Sequence, residues 1–342
     1  MAVDLLALPN AREFTWRDGE RLVVFRGRAL EGTLEFLRGL GWERFALLTT
    51  QRALNEAPLD LAQAATMVHH VPPGRVPDAS ASIIDEVTAP SLVALGGGRV
   101  IDVAKAIAAV RGGRVAAIPT TLSGAEMTGI HRLPTGHEAP SLVRPEVVLA
   151  DPDAMTDLDE PRLRATAMNA LAHGAEALYG PGANPAATLA ALRGAELIAA
   201  SLDQPREDRD RAALALGALL SAHAVDSAGL GYHHAASQEL VRVMGLPHAD
   251  TNATLLGHTM EAMRARYPTA LDALARVLGV TPDELGPRLE QLGGGPRSLA
   301  GVGADPAHVE AAVDAIRARV ANAPIPDPPD RDEIRALIDA AW

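Results

Sequence analysis

The sequence predicts two domains, a mostly parallel α/β domain followed by an all-helical domain. Up to about residue 157, short β-branched runs alternate with helical patterns, an order typical of βαβ units. Beyond that point the chain shows only the three-to-four spacing of Ala, Leu and Ile that indicates helices. We therefore expect an α/β domain over residues 1–157 and an all-helical domain over residues 158–342.

The first domain contains six predicted strands, each a short apolar run bounded by Gly, Pro or Asp. In chain order they cover residues 21–25, 45–50, 66–71, 91–95, 115–118 and 147–150. Helical patterns over residues 29–40 and 101–110 connect some of these strands. This order of strands and helices predicts a mostly parallel sheet with helices on both faces.

The second domain contains nine predicted helices, many of which begin with Pro at a first-turn position. They cover residues 161–179, 185–201, 206–228, 232–244, 248–266, 268–278, 282–292, 306–321 and 331–342. The proline-rich segment before the last helix is too short to link independent domains. The nine helices are therefore expected to belong to one domain.

The composition excludes several kinds of site and partner. The 342 residues are 48% apolar and 22% charged, and no run of eighteen apolar residues occurs, so we expect a cytoplasmic protein without a membrane span or secretory signal. The absence of Cys excludes thiolate metal sites and Cys nucleophiles. A net charge of -12 and only 3% aromatic residues argue against nucleic acid or an anionic membrane as the partner.

A run of three glycines predicts a phosphate-binding loop. Gly96, Gly97 and Gly98 follow a predicted strand and would let backbone N–H groups approach an anion, and the next helix adds a favourable dipole at its N-terminus. Asp102 and Lys105, the one lysine among 31 basic residues, share a face of that helix. The alternatives are a tight turn without a ligand and, for the two charged side chains, a surface ion pair.

A second polar loop follows the next predicted strand. Thr120, Thr121 and Ser123 are short hydrogen-bonding side chains at the carboxyl end of that strand. Ligands of parallel sheets bind at this edge. Two polar loops at the ends of successive strands therefore favour a shared cleft.

Three histidines stand out by their spacing to other polar residues. Asn169 lies four residues before His173, and Gln238 lies four residues after His234, so each pair shares a helix face; His248 follows a Gly-Leu-Pro turn. Neutral imidazoles could bind a divalent metal, act as general acids near neutral pH or only make hydrogen bonds in a polar core. The spacing alone leaves all three roles open.

Four segments, taken in order, resemble the iron-containing (group three) alcohol dehydrogenase family, and most closely its maleylacetate reductase branch. They are GGGRVIDVAK, PTTLSGAEMT, MNALAHGAEALYGPGANP and GLPHAD. The resemblance covers nearly the whole chain. It implies an N-terminal dinucleotide-binding domain, a C-terminal helical domain that binds the substrate and carries catalytic residues, and an active site in the cleft between them. It also implies hydride transfer between NAD(P)H and a carbonyl or an unsaturated oxo acid.

By this resemblance the first domain binds NAD or NADP. The glycine run would hold the pyrophosphate, the two charged residues after it the ribose and nicotinamide region, and the polar loop the nicotinamide half. Gln51 stands where NAD-preferring members have Asp, so NADP is admissible, and Arg99 adds a cation where Ser is usual. The residues implied for the cofactor are Gln51, Gly96, Gly97, Gly98, Arg99, Asp102, Lys105, Thr120, Thr121 and Ser123.

The resemblance also predicts a degenerate metal site. Metal-binding members use an Asp and three His, and the matching positions here are Asn169, His173, His234 and His248. Because an amide replaces the anionic ligand, we expect no resident metal. Gln238 stands where another active-site histidine is usual; it cannot supply a proton at neutral pH, and we expect it to orient the substrate.

Together these features predict a metal-independent, NAD(P)-dependent oxidoreductase that acts on a small-molecule substrate and forms a homodimer. The histidines would bind the oxygen or carboxylate of a small oxo acid, carbonyl or enone, with His234 the favoured proton donor and His173, His248, His233 or water the alternatives. Two other functions remain open. One is a redox-neutral elimination or cyclisation of the dehydroquinate synthase-like type, and the other is a non-catalytic nucleotide-binding subunit.

Overall fold

The computed structural model describes residues 14–323, 325 and 327–342. The chain forms two compact units. Of the described residues, unit 1 comprises those up to Leu158 together with Arg211–Ala215, and unit 2 comprises those of Asp159–Asp210 and Leu216–Trp342. All described strands belong to unit 1, and the regular structure described in unit 2 is helical. The predicted class, an α/β part followed by a helical part, is confirmed.

In the described part of unit 1, seven strands form one sheet. They are β1 Phe14–Asp18, β2 Arg21–Phe25, β3 Ala46–Thr49, β4 Met67–His70, β5 Ser91–Gly96, β6 Arg114–Pro119 and β7 Val147–Ala150. The six predicted strands are confirmed to within about two residues at each end. Strand β1 was not predicted, because its residues FTWRD form no apolar run. It pairs with β2 at the edge of the sheet.

The strand order places the glycine run at the topological switch point of the sheet. The order is β1-β2-β7-β6-β5-β3-β4, with β1 antiparallel to β2 and the other neighbours parallel. From β3 the chain first moves outward to β4 and then returns to place β5 on the opposite side of β3. The direction of winding thus reverses between β3 and β5. Ligands of open parallel sheets bind outside the carboxyl ends of the strands at such a switch point.

Helices cover both faces of the sheet. Side chains alternate between the faces along each strand. Leu48 and Ala94 therefore pack in a core with helices α4 (Val76–Ile83) and α5 (Gly98–Arg111), whereas Leu47 and Val93 pack in a second core with α1 (Thr33–Gly39) and α3 (Leu59–Ala64). Burial on both faces explains why the strands are continuous apolar runs. The helices of unit 1 are α1 Thr33–Gly39, α2 Gln51–Glu56, α3 Leu59–Ala64, α4 Val76–Ile83, α5 Gly98–Arg111 and α6 Pro152–Thr156.

Unit 2 is a group of closely packed helices. At Gly194 a Cβ atom would lie 2.5 Å from the Ser221 hydroxyl oxygen and 2.8 Å from the Gly217 carbonyl oxygen, so only glycine permits this approach. The helices are α7 Glu160–Ala177, α8 Pro185–Leu202, α9 Arg211–Ala228, whose first turn belongs to unit 1, α10 Tyr232–Met244, α11 His248–Arg264, α12 Pro268–Val277, α13 Leu285–Leu292, α14 Val309–Ala321 and α15 Arg331–Ala340.

Four of the predicted helices differ from the structure. Those over residues 282–292 and 306–321 begin with 3-10 turns at Pro282–Glu284 and Pro306–His308. The predicted helix over residues 206–228 is divided into a 3-10 turn at Arg206–Asp208 and helix α9. Arg209 between them is extended, and its buried guanidinium donates to Glu160 at 2.7 and 2.9 Å. The predicted helix over residues 29–40 begins only at Thr33, because Gly32 before it has the left-handed φ of 74°.

Within the described part of the chain, no single helix is long and apolar enough to cross a membrane. The bent pair α9 and α10, with 98° between its helices, meets the criterion by length and composition only.

Candidate active site

The glycine run forms the junction between β5 and α5. Gly96 ends the strand, Gly97 is the residue before the helix, and Gly98 is the first helical residue. In the described part of the chain, no side chain caps this N-terminus. The first-turn N–H groups of a helix have no partners within the helix and carry its positive dipole end. At the switch point of the sheet, this junction therefore fits the pyrophosphate of a dinucleotide.

The glycines are also required by the neighbouring polar loop. A Cβ atom at Gly97 would lie 2.9 Å from the Thr121 methyl carbon, and one at Gly98 would lie 2.9 Å from the Ser123 Cβ and Oγ atoms. The two loops therefore lie close together, as predicted. This close approach is enough to require glycine at positions 97 and 98, even without a bound ligand. The Thr121 hydroxyl is buried and forms no hydrogen bond within the described residues. It is a candidate to bind the cofactor.

Lys105 is fully buried, and its ammonium group is satisfied by the protein. The Nζ atom donates to Asp102 Oδ1 at 2.8 Å, to the Ala125 carbonyl at 2.9 Å and to the Ile130 carbonyl at 3.0 Å. The alternative of a surface ion pair is therefore wrong, since the Lys105 side chain is 0% exposed. All three ammonium hydrogens have acceptors. Lys105 consequently holds Asp102 and the loop from Ala125 to Ile130 in place.

The end of β3 carries the next predicted cofactor residue, Gln51. Its side chain is exposed and donates to Asn55 at 2.7 Å. The adjacent Arg52 reaches across the sheet edge, where its Nη2 donates to the Thr120 hydroxyl at 3.4 Å. Arg99, in the first turn of α5, is exposed. The carboxyl edge of the sheet thus carries two arginines and no carboxylate at the predicted NAD-specificity position.

Glu126, in the polar loop, is a buried acid that the sequence analysis missed. Its side chain is 0% exposed, and neither carboxylate oxygen accepts a hydrogen bond from another described residue. Burial raises the pKa of Glu126 to about 7, although the nearby Lys105 and Arg21 oppose this shift. A single Glu in an otherwise small and polar loop was the signal that could have identified it.

In unit 2 two predicted histidines come together around a buried carboxylate. His234 Nδ1 donates to Glu176 Oε2 at 2.6 Å, and the His234 backbone N–H donates to Glu176 Oε1 at 3.2 Å. The His173 ring stacks on the His234 ring with centroids 4.7 Å apart. Glu176 lies three residues after His173 on α7, so the two share a face. A lone acid in this Ala-rich segment was a signal that the sequence analysis did not use.

The protonation of His234 follows from this pair. Burial lowers the pKa of His234 to about 3 and raises the pKa of Glu176. The resting imidazole is therefore neutral, with its proton on Nδ1 and a lone pair on Nε2. The Nε2 atom of His234 and the Nδ1 atom of His173 are both buried and have no hydrogen-bond partner among the described residues. Two ring nitrogens are thus left for a ligand.

His248 is connected to the other histidines through an amide. Asn252 Nδ2 donates to the His248 carbonyl at 3.0 Å and to His248 Nε2 at 3.1 Å. Because a carbonyl can only accept, this fixes the orientation of the amide and makes His233 Nε2 the donor to Asn252 Oδ1 at 3.0 Å. The His248 Nε2 lone pair is therefore engaged. Asn252, four residues after His248, was not predicted.

Gln238 lies one turn after His234 on α10, as predicted. Its Oε1 atom accepts from Arg319 Nη2 at 2.6 Å. Arg319 lies on α14, which packs against α10. The same guanidinium donates to Glu239 Oε1 at 3.3 Å. No motif or spacing in the sequence connects Arg319 with this site, because the contact joins positions 81 residues apart.

Comparisons with known proteins agree with this arrangement over both units. The profile "Iron-containing alcohol dehydrogenase" matches residues 21–152, and "Fe-containing alcohol dehydrogenase family, C-terminal" matches residues 164–342. The chain belongs to the iron-containing alcohol dehydrogenase family. It is accordingly an NAD(P)-dependent oxidoreductase.

Several relatives in this family are maleylacetate reductases. The chain is 31% identical to maleylacetate reductase 1 of Rhodococcus opacus over 97% of both chains, and 31% identical to maleylacetate reductase of Burkholderia cepacia over 94% of this chain and 95% of that one. The crystal structure of maleylacetate reductase from Rhizobium sp. strain MTP-10005 matches with a TM-score of 0.82 and 27% identity, covering 96% of this chain and 98% of that chain.

The family name implies a metal, and the residues at the degenerate site do not fit one. Asn169 supplies no charge, and the His248 Nε2 lone pair is occupied by Asn252. His173 and His234 stack with 11° between their planes. Within residues 14–323, 325 and 327–342, no three His, Asp or Glu side chains are placed to hold one ion. The donor set lacks the converging anionic and imidazole ligands that a divalent ion needs.

Proposed function

We propose that the protein is a maleylacetate reductase-like, metal-independent enzyme that reduces a small oxo acid, carbonyl or enone substrate with NADH or NADPH. The observation that carries this proposal is the buried Glu176–His234 pair with its unoccupied Nε2 atom. It provides a proton-handling group at the position where metal-binding relatives have a ligand. The relatives named maleylacetate reductase support the substrate class.

The cofactor is assigned to the carboxyl edge of the sheet. Gly96 to Gly98 would hold the pyrophosphate at the start of α5, and the Thr121 hydroxyl would bind the nicotinamide half. Asp102 would bind the ribose, with Lys105 positioning its carboxylate at 2.8 Å. Ser123 and Thr120 would also contact the nicotinamide half. Gln51 and Arg99 are the remaining residues that we assign to cofactor binding.

The residues of unit 2 are assigned to the substrate. A bound NAD(P)H would supply the hydride. In the reducing direction the neutral His234 would take up a proton from solvent on Nε2 and pass it to the substrate oxygen as the hydride reaches the substrate carbon, while Glu176 would stabilise the transient imidazolium through Nδ1. His173, stacked on His234, and His248 bind the oxygen or carboxylate of the substrate. We assign no chemical step to Gln238, because its Oε1 atom accepts from Arg319.

An absorbance assay tests this proposal. Purified protein should consume NADH or NADPH steadily with at least one substrate from a panel of small oxo acids, enones and aldehydes. Net consumption would exclude a redox-neutral reaction, because such a reaction regenerates its cofactor. Elemental analysis should find much less than one iron or zinc per chain, and a chelator should leave turnover unchanged. One tightly bound metal per chain, required for turnover, would overturn the metal-independent reaction.

The proposal also includes a homodimer located in the cytoplasm. The absence of Cys and the net charge of -12 agree with a reducing compartment and a soluble chain. Sedimentation of the purified protein over a range of concentrations would measure its oligomeric state.

A further inference from the structure

Arg319 is a partly exposed arginine that uses only some of its N–H groups in hydrogen bonds to the protein. Its side chain is 30% exposed, and two of its five N–H groups donate, one to Gln238 and one to Glu239. The remaining three have no acceptor among the described residues. Because the Gln238 and Glu239 bonds fix two arms of the planar group, its remaining donors are pre-oriented.

The guanidinium lies close to the reactive end of the proposed site. Gln238, which it contacts at 2.6 Å, is one turn from His234 on the same face of α10. The positive charge of Arg319 also contributes to the lowered pKa of His234. The unoccupied Nε2 atom of His234 and the donors of Arg319 thus belong to one neighbourhood of unit 2.

The charges around Arg319 leave a positive surplus. Glu239 is shared between two arginines, since Oε1 accepts from Arg319 at 3.3 Å and Oε2 accepts from Arg242 at 2.6 Å. Gln238 contributes no charge. One carboxylate between two guanidinium groups sums to +1, so a bound anion would neutralise the group. A charged histidine replacing Gln238 would add to this surplus, whereas the amide only orients the arginine.

We propose that Arg319 binds a carboxylate group of the substrate, with Gln238 and Glu239 as positioning residues. This inference rests on the proposed function and adds to it the residue that recognises the acid. Arginine suits this task because its planar fork matches the two oxygens of a carboxylate. The substrate oxygen at His234 and the carboxylate at Arg319 then define the orientation of a small oxo acid.

Equilibrium binding tests the inference without requiring turnover. The probe is succinate, a dicarboxylate without a reducible carbonyl, titrated calorimetrically into the full chain, and succinamide is its neutral counterpart. Arg319→Met should weaken succinate binding by about 10- to 100-fold, the usual scale for hydrogen bonds to a charged group. Arg319→Lys should weaken it less, because the charge remains while the fork is lost. Succinamide should bind weakly and equally to all proteins.

Arg242→Met is the matched control. It removes an arginine from the same Glu239 carboxylate but leaves the Gln238 contact intact. Arg242 adds charge to the group but no hydrogen bond to the anion, and its side chain is 49% exposed, so succinate affinity should fall by only a few-fold, well short of the loss in Arg319→Met. The inference is overturned if wild-type protein does not bind succinate, or if Arg242→Met loses as much affinity as the Arg319 variants.

Kinetics separate this inference from the proposed function. With an oxo acid that the wild-type enzyme reduces, Arg319→Met should lower kcat/KM for the acid but not for its methyl ester, and leave NAD(P)H affinity unchanged. An unchanged acid-to-ester preference would overturn the inference while the reductase assignment stands. If no substrate consumes NAD(P)H but Arg319-dependent succinate binding is observed, the reductase assignment fails and the carboxylate site stands.

Discussion

At the scale of single residues, the Glu176–His234 pair determines the chemistry available in unit 2. The carboxylate receives both the Nδ1–H and the backbone N–H of His234, so the ring orientation is fixed in two places. Such a partner selects the tautomer and stabilises the imidazolium when it forms. Because burial lowers the pKa of His234 to about 3, this stabilisation is needed for proton donation near neutral pH.

We predict that Glu176 and His234 act as one catalytic unit. His234→Ala should lower turnover by about 10²- to 10⁴-fold, the usual scale for loss of a general acid. Glu176→Gln should lower it by about 10- to 100-fold through loss of ring orientation. The double variant should be no slower than His234→Ala alone, because the carboxylate acts only through the ring. Steady-state kinetics on the four proteins of this cycle provide the measurement.

Glu196→Gln is the control for this cycle. Its carboxylate is 46% exposed and, among the residues that the structure describes, pairs with Arg193 alone at 2.7 Å, so turnover should not change. NAD(P)H affinity, measured by fluorescence titration, should be the same in all variants. Full turnover by His234→Ala would show that His173, His248, His233 or water supplies the proton. Additive losses in the double variant would show that Glu176 acts independently of His234.

At the scale of elements, Lys105 fastens helix α5 to the polar loop. Its three bonds join α5 to two loop carbonyls and to Asp102, and its side chain has no exposure to water. Removing one partner from a buried ion pair leaves an uncompensated charge and unpaired carbonyls. The loop that approaches Gly98 therefore depends on this one lysine for its position.

We predict that Lys105→Met lowers the free energy of unfolding by about 2–3 kcal/mol, the scale for losing hydrogen bonds to a charged group, because Lys105 is fully buried but Asp102 is 27% exposed and stays partly hydrated. Cofactor affinity should fall as well, because the loop with Thr121 and Ser123 loses its anchor. Denaturant titration monitored by circular dichroism measures the first effect. Arg28→Met is the control: Arg28 and Glu31 form a pair of the same i,i+3 spacing, but with side chains 77% and 63% exposed.

Arg28→Met should lower the free energy of unfolding by only about 0–1 kcal/mol, as is usual for exposed ion pairs. If Lys105→Met cost no more than Arg28→Met while abolishing cofactor binding, Lys105 would be a direct cofactor ligand and not an anchor. The spacing of Asp102 and Lys105 predicted that they share a helix face, and the structure shows that the two side chains contact each other. The spacing could not predict their burial, since Ala125 and Ile130 lie 20 and 25 residues away along the chain.

At the scale of the whole molecule, the sequence predicted the architecture well because local patterns determine it. The strands are buried on both faces and are apolar throughout, as shown by Leu47 and Leu48, which pack in opposite cores. The helix break at Arg209 could not be predicted, because it follows from a contact with Glu160, 49 residues earlier. Long-range polar contacts have no periodic signal in the sequence.

The same limit applies to the candidate site. The family motifs identified the histidines and the glycine run, and the structure does bring His173 and His234 together. Arg319 and Asn252 were missed, because their roles arise from contacts between helices that no motif records. Polar groups that complete a site through tertiary contacts are therefore the part that sequence spacing leaves undetermined.

Buried groups whose pKa values are shifted in opposite directions determine how the free energy of unfolding depends on pH. His233 and His234 have pKa values lowered by burial to about 3 from 6.5, so the stability they contribute is present above pH 6.5 and is lost as the pH falls below it. Glu126 acts in the other direction. Its pKa is raised by burial from 4.5 to about 7, so its contribution is complete below pH 4.5 and is lost as the pH rises through 7.

We predict that Glu126→Gln removes this second component. Between pH 4.5 and 7 the native carboxyl retains a proton that the unfolded chain has released, which amounts to about 3 kcal/mol over the 2.5-unit difference. The unfolding free energy of the variant minus that of the wild type should therefore rise by about this amount from pH 4.5 to pH 8. The histidine contributions cancel in this difference, as does any constant cost of burying the amide. Denaturant titrations at half-unit pH intervals measure it. A flat difference would mean that Lys105 and Arg21 keep Glu126 ionised at all these pH values, and that the polar loop is held by a buried ionic cluster and not by a neutral acid.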